Sequence, residues 1–285
     1  MVCPYTVFTP FYKKACQYPV ESVKACSKQL VLNKLSPEQL CFGLGWDDVC
    51  DILVNANSRV IEQGERQLER HLNSTEQQFD NLSSYAEFRD FPAQKSTSGL
   101  SALLKYGVAS VRQVFHGLIN NYGHEHGLVR QLYWRDFYYH IAHFFPHVFS
   151  KSFKPKFESL QWADDRELFN CWSRGETGYP MVDAGMRELN QTGELHGRCR
   201  MVCASFLVKH LQINWQLGER YFAEKLVDYD PALNNGNWQW VASTGCDAQP
   251  WFRIFNPWLQ QKKFDPEAEY IKTWVPELKK YSPGQ

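Results

Sequence analysis

Two carboxylates, Asp228 and Asp230, precede the run Asn234-Asn235-Gly236-Asn237-Trp238-Gln239-Trp240. Two indoles repeat the i, i+2 spacing of the carboxylates, set among amides and a glycine. Tryptophan is costly to bury unless its N–H finds a partner. Asn-Asn-Gly belongs to turns rather than to cores. The stretch is therefore expected to form a polar, aromatic-lined site for a flat, aromatic ligand. Upstream, Thr97, Ser98 and Ser101 bring three hydroxyls together, and Gly99 lets the backbone approach a ligand closely. An apolar helix is expected to follow. A helix N-terminus with free N–H groups attracts anions, although Ser and Thr before a helix are more often only caps.

Other clusters carry less chemistry. His140, His143 and His147 fall at i, i+3 and i+7, and two histidines one turn apart can hold zinc. No glutamate lies between His140 and His143, and Pro146 interrupts the helix. Packed or surface histidines are expected, and no metal. Nine cysteines at irregular spacings include no C-x-x-C pair. Reduced thiols in a soluble protein of cytoplasm or nucleus follow, rather than a disulfide framework.

These residues must be positioned by a chain of 285 residues, 44% of them hydrophobic, enough for one large domain or two small ones. Formal net charge is zero, so a nucleic-acid surface would have to be local. No secretory signal is expected at Met1-Val2-Cys3-Pro4, and no apolar run approaches membrane-spanning length. Strand alternation is scarce, and the expected class is all-α. Ser36, Pro37 and Gln39 read as a helix start with a capping box. Trp46 to Leu72 reads as mostly helical, and 73–96 as a long connection. Further helices are expected over Leu100–Asn121, Leu128–Phe144, Asp165–Ser173, Val182–Gln191, Arg198–Leu211 and Gly218–Leu226.

Several motifs recur in one order: Thr97-Ser98-Gly99-Leu100-Ser101, Trp134-Arg135-Asp136-Phe137-Tyr138, Gly178-Tyr179-Pro180-Met181-Val182-Asp183-Ala184, the Asn234–Trp240 run, Trp251-Phe252-Arg253-Ile254-Phe255-Asn256-Pro257 and Lys263-Phe264-Asp265-Pro266. Together they resemble the photolyase/cryptochrome family, from about Tyr85 to Leu278. The resemblance implies a helical FAD-binding domain. Pro4–Phe11 resembles the end of that family's N-terminal antenna domain. Residues 1–15 are thus expected as a remnant linker, and residues 16–285 as the FAD domain. A separate chain could supply the antenna, and the domain is expected to be a monomer.

The resemblance also assigns residues. Thr97, Ser98, Gly99, Leu100 and Ser101 would hold the FAD diphosphate, with Tyr85 and Arg135. Arg200 would pair with Asp228 beside the ring, Asp230 would accept from ring or ribityl, and Asn234 would face N5. Trp238, Trp215 and Trp162 match an electron-transfer chain from flavin to surface. Trp134 and Trp240 match the aromatics that flank a flipped pyrimidine dimer, and Met201 a methionine beside it. Arg89, Arg198, Arg253 and Gln260 fall on or near DNA-contact positions. The expected activity is light-driven splitting of cyclobutane pyrimidine dimers in DNA.

The sequence departs from the pattern at the lesion. Gln131 stands where cyclobutane-dimer enzymes usually have glutamate, and Gly197 where they usually have asparagine. Glutamine at the first position is typical of (6-4) photolyases. Those enzymes carry histidines at the positions of Gly197 and Met201, and His196 is one residue away. A (6-4) photolyase, a cryptochrome-like sensor without repair, and a degenerate flavoprotein fragment are the alternatives.

Overall fold

The computed structural model describes residues 4–22, 82–94 and 96–282. The helix start at Ser36 and the helical stretch Trp46–Leu72 lie outside the described residues. Among the described residues the fold is helical, with a single isolated bridge between Ala163 and Ile213. In chain order the helices are α1 (Phe8–Ala15), α2 (Tyr85–Phe88), α3 (Ser101–Lys105), α4 (Val111–Tyr122), α5 (Gly127–Phe144) and α6 (Arg166–Arg174). They continue as α7 (Pro180–Thr192), α8 (Gly197–Ser205), α9 (Trp215–Lys225), α10 (Pro231–Ala242), α11 (Pro257–Phe264) and α12 (Glu269–Trp274). A π-helical turn, Phe206–His210, prolongs α8.

Local chemistry explains most boundaries. Asp165 caps α6, its carboxylate accepting from the Leu168 N–H at 2.9 Å, and Gly175 ends it in the left-handed region. Ser110 and Gln113 form a reciprocal capping box on α4. Pro180 opens α7 at a position where its missing N–H costs nothing. Buried Asp183 then folds the approach to α7, accepting from the Thr177 N–H and hydroxyl at 2.7 Å and the Gly178 N–H at 2.9 Å. The expected single helix over Leu100–Asn121 is two, because Gly107 takes φ +72° between α3 and α4.

The run Asn234–Trp240 corrects its expectation. It is helical, the middle of α10, and Asn235, Trp238 and Gln239 are buried. Tertiary contacts outweigh the turn preference of Asn and Gly. The Asn235 and Gln239 amides both donate to the Val148 carbonyl at 3.0 Å. Gln239 also donates to the Lys151 carbonyl and accepts from the Phe153 N–H. Gly236 is required where it stands, since a Cβ there would lie 2.2 Å from the Tyr138 ring of α5.

The largest core lies among α6–α10 and α12, around Trp172, Met181, Met186, Leu207, Phe222 and Trp238. A second gathers Leu100, Leu103, Val114, Leu118 and Val129 under α2–α5. The third joins Phe8 of α1 to Phe137, Tyr138 and Ile141 of α5. The segment expected as a linker thus supplies a core residue, Phe8, which is 1% exposed.

Two measurements test this packing. A methyl at Gly218 would meet the Trp238 ring at 2.2 Å and Leu207 at 2.6 Å. Gly218→Ala should therefore lower unfolding free energy by about 1–3 kcal/mol through overpacking, read by urea denaturation. The second concerns Glu188 of α7, whose Oε2 accepts from the Tyr270 hydroxyl of α12 at 2.5 Å. Burial raises its carboxyl to about 7. An acid raised in the folded state favours folding while protonated, and that contribution is lost as pH rises from about 4.5 through 7. Glu188→Gln keeps an acceptor for Tyr270 without the charge. It should melt higher than wild type at pH 8, by up to ~3 kcal/mol, and nearly alike at pH 4.5.

Candidate functional site

The site is built where α3, α5, α8 and α10 meet, and Asp230 is its hub. As N-cap of α10 it accepts from the Ala232 N–H at 3.0 Å and the Leu233 N–H at 3.2 Å. Its other oxygen accepts from the Tyr139 hydroxyl of α5 and lies 3.5 Å from the Lys105 ammonium of α3. Asp230 is 5% exposed, and a carboxylate so buried needs such partners. These contacts fix Asp230 within the fold and leave further lone pairs on its two oxygens. Arg135 lies over the Tyr139 ring at 4.6 Å and pairs with Asp136.

Asp228 forms the second ionic centre. Arg200 of α8 donates one nitrogen to both Asp228 oxygens, at 3.0 and 2.9 Å, and its Nε to the Leu195 carbonyl. Burial raises the Asp228 carboxyl, but the Arg200 guanidinium and the Ser101 hydroxyl outweigh it and hold the carboxyl below its usual range. The expected pair is present, and the Thr97–Ser101 segment reaches it through Ser101. Gly99 takes φ +63°, and a Cβ at Gly99 or Gly197 would meet nothing within 4 Å. Both glycines face open space beside charged groups. Asn234 donates Nδ2 to the Glu219 carbonyl at 3.0 Å and carboxylate at 3.1 Å, so its remaining polar atom is the acceptor Oδ1.

The cations Arg200 and Lys105, the Ser101 hydroxyl and the open approach at Gly99 suit a dianionic cofactor with a planar ring. By this chemistry the residues present fit FAD. Lys105, Tyr139 and Glu219 belong to this constellation and were not singled out from sequence. Lys105 and Tyr139 face Asp230 only through the fold, so no local spacing marks them.

The tryptophans separate into two environments. Trp238 and Trp215 are 2% and 3% exposed, and half-buried Trp162 packs against the same core. Trp238 touches Phe222 and Trp172, with ring centroids 4.9 and 6.2 Å away. Trp162 neighbours Trp251 at 6.4 Å. Among the described ring contacts none joins Trp134 to Trp240. Trp134 instead stacks on Phe8, 3.6 Å away with planes 5° apart. Trp240 packs against the main core.

The DNA-contact candidates also divide. Asp90 gathers Arg198 at 2.9 Å and Arg89 at 4.0 Å, and Arg198 reaches Gln260 at 3.5 Å. Arg89 further covers the Tyr85 ring at 5.3 Å. Arg198 is thus committed to a carboxylate. Arg253 is exposed, on a loop that also exposes Trp251, Phe252 and Ile254, and Trp258 and Leu259 are exposed at the start of α11. From Ala248 to Phe264 the sequence holds Arg253, Lys262 and Lys263 and no acid. A basic surface with open aromatic faces suits unstacked nucleotides. Gln131 and Met201 are half-buried and Gly197 is exposed. Burial lowers the His196 imidazole to about 4, so it is neutral at pH 7. No group of three or more metal-binding side chains occurs among the described residues. His140 packs on Phe11 and Phe144, and His147 on Phe153. No described helix is long and apolar enough to cross a membrane.

Known proteins share this fold. A deoxyribodipyrimidine photo-lyase of Vibrio cholerae is 48% identical over 214 residues, 71% of this chain and 45% of that protein. An archaeal photolyase from Sulfolobus tokodaii, solved with two FAD molecules, superposes with a TM-score of 0.82 at 39% identity, over 99% of this chain and 61% of that one. A bacterial class III photolyase from Agrobacterium tumefaciens gives a TM-score of 0.75 at 37% identity, over 98% and 59%. The chain therefore spans about half the length of the curated relatives it matches. Residues 128–284 match the family described as the FAD binding domain of DNA photolyase. The chain belongs to the photolyase/cryptochrome family, through its helical FAD-binding domain.

Proposed function

We propose that this domain binds FAD and splits cyclobutane pyrimidine dimers in DNA under light. The observation that carries the reading is the buried Arg200–Asp228 pair, met by Ser101 from the glycine-containing loop. When bound, FAD supplies a light-driven electron donor in its reduced form and an acceptor in its oxidised form. Thr97, Ser98, Gly99, Leu100 and Ser101, with Tyr85 and Arg135, would hold its diphosphate. Arg200, Asp228, Asp230 and Asn234 would surround its ring.

The rest falls to the chain's own side chains. Arg200 keeps a fixed positive charge where negative charge develops, which strengthens in a water-poor site. Trp238, Trp215 and Trp162 refill one another outward toward solvent. Trp240, Met201, Gly197 and Gln131 line the lesion side, with Trp134 offering the face that Phe8 leaves uncovered. A damaged step is the least costly to flip out of a duplex. Arg253, its charge unpaired by the fold, would orient the strand with Arg89 and Gln260, and Arg198 would contribute only while sharing its charge with Asp90. Gln131 and Gly197 offer weaker lesion contacts than glutamate and asparagine, each missing hydrogen bond costing about 0.5–1.5 kcal/mol. Gln131 also favours a second reading, a (6-4) photolyase. His196 weighs against it, because it stands one residue from the position where those enzymes carry a histidine, and burial keeps its imidazole neutral and a weak acid at pH 7.

Purified protein should release FAD on heating, recognised by its absorption. Protein that stays colourless and cannot be reconstituted would rule out the cofactor. Reduced, FAD-loaded protein should repair a defined cyclobutane dimer under blue light and leave a defined (6-4) product intact. Gln131→Glu with Gly197→Asn should raise repair yield; the open space at Gly197 admits the side chain. Repair of the (6-4) product alone would select the second reading, and repair of neither would indicate a sensor. Trp238→Phe should slow photoreduction by a thiol while leaving repair by chemically reduced protein nearly unchanged. Equal photoreduction in wild type and variant would remove Trp238 from the path.

A further inference from the structure

Beyond Trp162 stands a further indole. The Trp251 ring lies 6.4 Å from Trp162, centroid to centroid, with planes 53° apart. Trp251 is 46% exposed, whereas Trp238 is 2% exposed. Its opposite neighbour is a cation: the Lys209 ammonium sits 3.5 Å from the Trp251 ring centroid. Lys209 belongs to the π-helical turn Phe206–His210, a departure from regular α-helix of a kind frequent at functional sites. Its ammonium is held by the Ser243 hydroxyl at 2.9 Å and the Ala242 carbonyl at 3.5 Å, at the end of α10.

We propose that Trp251 is a further, solvent-side electron relay reached from Trp162, with Lys209 setting how readily its ring gives up an electron. The inference rests on the reading that Trp238, Trp215 and Trp162 feed electrons to an illuminated, oxidised FAD. A tryptophan that has lost an electron is a cation, and water stabilises a cation better than a packed core does. The vacancy therefore gains stability as it moves outward. In the relay step one electron passes from Trp251 to the oxidised Trp162. Trp162 is restored and Trp251 becomes the radical cation. Trp251 then loses its indole proton to water or takes an electron from an external thiol, which is oxidised.

Lys209 acts on this step by charge. It attracts the neutral ring through its π face and repels the same ring once oxidised. Burial lowers the Lys209 ammonium to about 8, with no other cause resolved. Around it stand Ser243 and the Ala242 carbonyl from α10, Trp251 from the following loop, and His210 on its own turn. The His210 ring is turned onto Phe206, 5.0 Å away. The restraint on Trp251 is thus charged at pH 7 and lifts above pH 8.

The test uses FAD-loaded, oxidised protein and flash photolysis, with four proteins compared. In Trp251→Phe the tryptophan radical should decay severalfold faster than in wild type, because the vacancy returns from Trp162. In Lys209→Met the radical population should shift from Trp162 toward Trp251 by about tenfold (~1.4 kcal/mol), and live longer. A readout without flavin accompanies this. The fluorescence difference between wild-type and Trp251→Phe apoprotein should titrate near pH 8, and the same difference taken in a Lys209→Met background should be flat. An unchanged radical lifetime in Trp251→Phe, alongside a shortened one in Trp162→Phe, overturns the relay alone. An unchanged lifetime in Trp162→Phe as well overturns the tryptophan path on which it rests.

Discussion

The structure depends on one buried carboxylate. Asp230 caps α10, accepts from Tyr139 on α5 and faces Lys105 on α3. An N-cap alone contributes about 0.5–2 kcal/mol. Removing one member of a buried charged set costs about 3–5 kcal/mol, because the others are left unpaired. The consequences run down the helix that Asp230 starts. Asn234, Trp238 and Trp240 take their directions from the α10 axis, and that axis is fixed at its first residue. Lys105 ends the short helix that follows the Thr97–Ser101 segment, so the same carboxylate also ties the hydroxyl-bearing loop to the aromatic helix. Both sides of the flavin site thereby share one anchor.

Legibility in the sequence followed the range of the interactions only in part. The all-α class was readable from the scarcity of strand alternation, whereas the helix starts at Ser110 and Pro180 were not marked, although each is decided within four residues. The helical state of Asn234–Trp240 was not readable. Its amides bond to the carbonyls of Val148 and Lys151, and its glycine answers to the Tyr138 ring. Tertiary partners reversed a local preference there. The Arg200–Asp228 pair came from resemblance, and nothing in its spacing would have revealed it. The stack of Trp134 on Phe8 was invisible for the same reason, and it gives the first described helix a place in the core of α5.

Packing and electron movement make related demands. Trp238 fits only because Gly218 has no side chain, and it is edged by Phe222 and Trp172. Such close packing keeps water from the inner indole. A charge formed there is therefore poorly solvated and tends to leave. The outer indoles, Trp162 and Trp251, meet water progressively. If the tryptophans carry charge as proposed, this gradient of burial would set its direction without any difference in residue type.

The residues proposed to meet DNA follow another logic. Among them Arg198 is satisfied within the fold by Asp90, as Arg135 is by Asp136 and the Tyr139 ring. The unpaired charge and the open aromatic faces sit together on the loop and helix from Ala248 to Phe264. A chain of zero net charge gains no long-range pull toward a polyanion. Under the proposed activity attraction would have to be local, and the stretch from Ala248 to Phe264 combines cations with exposed Trp251, Phe252 and Trp258. Binding at such a surface weakens with salt in proportion to the few phosphates it neutralises. Under the proposed activity, selectivity for a distorted, partly unstacked strand over intact duplex would come from the aromatic faces, since only unstacked bases can cover them.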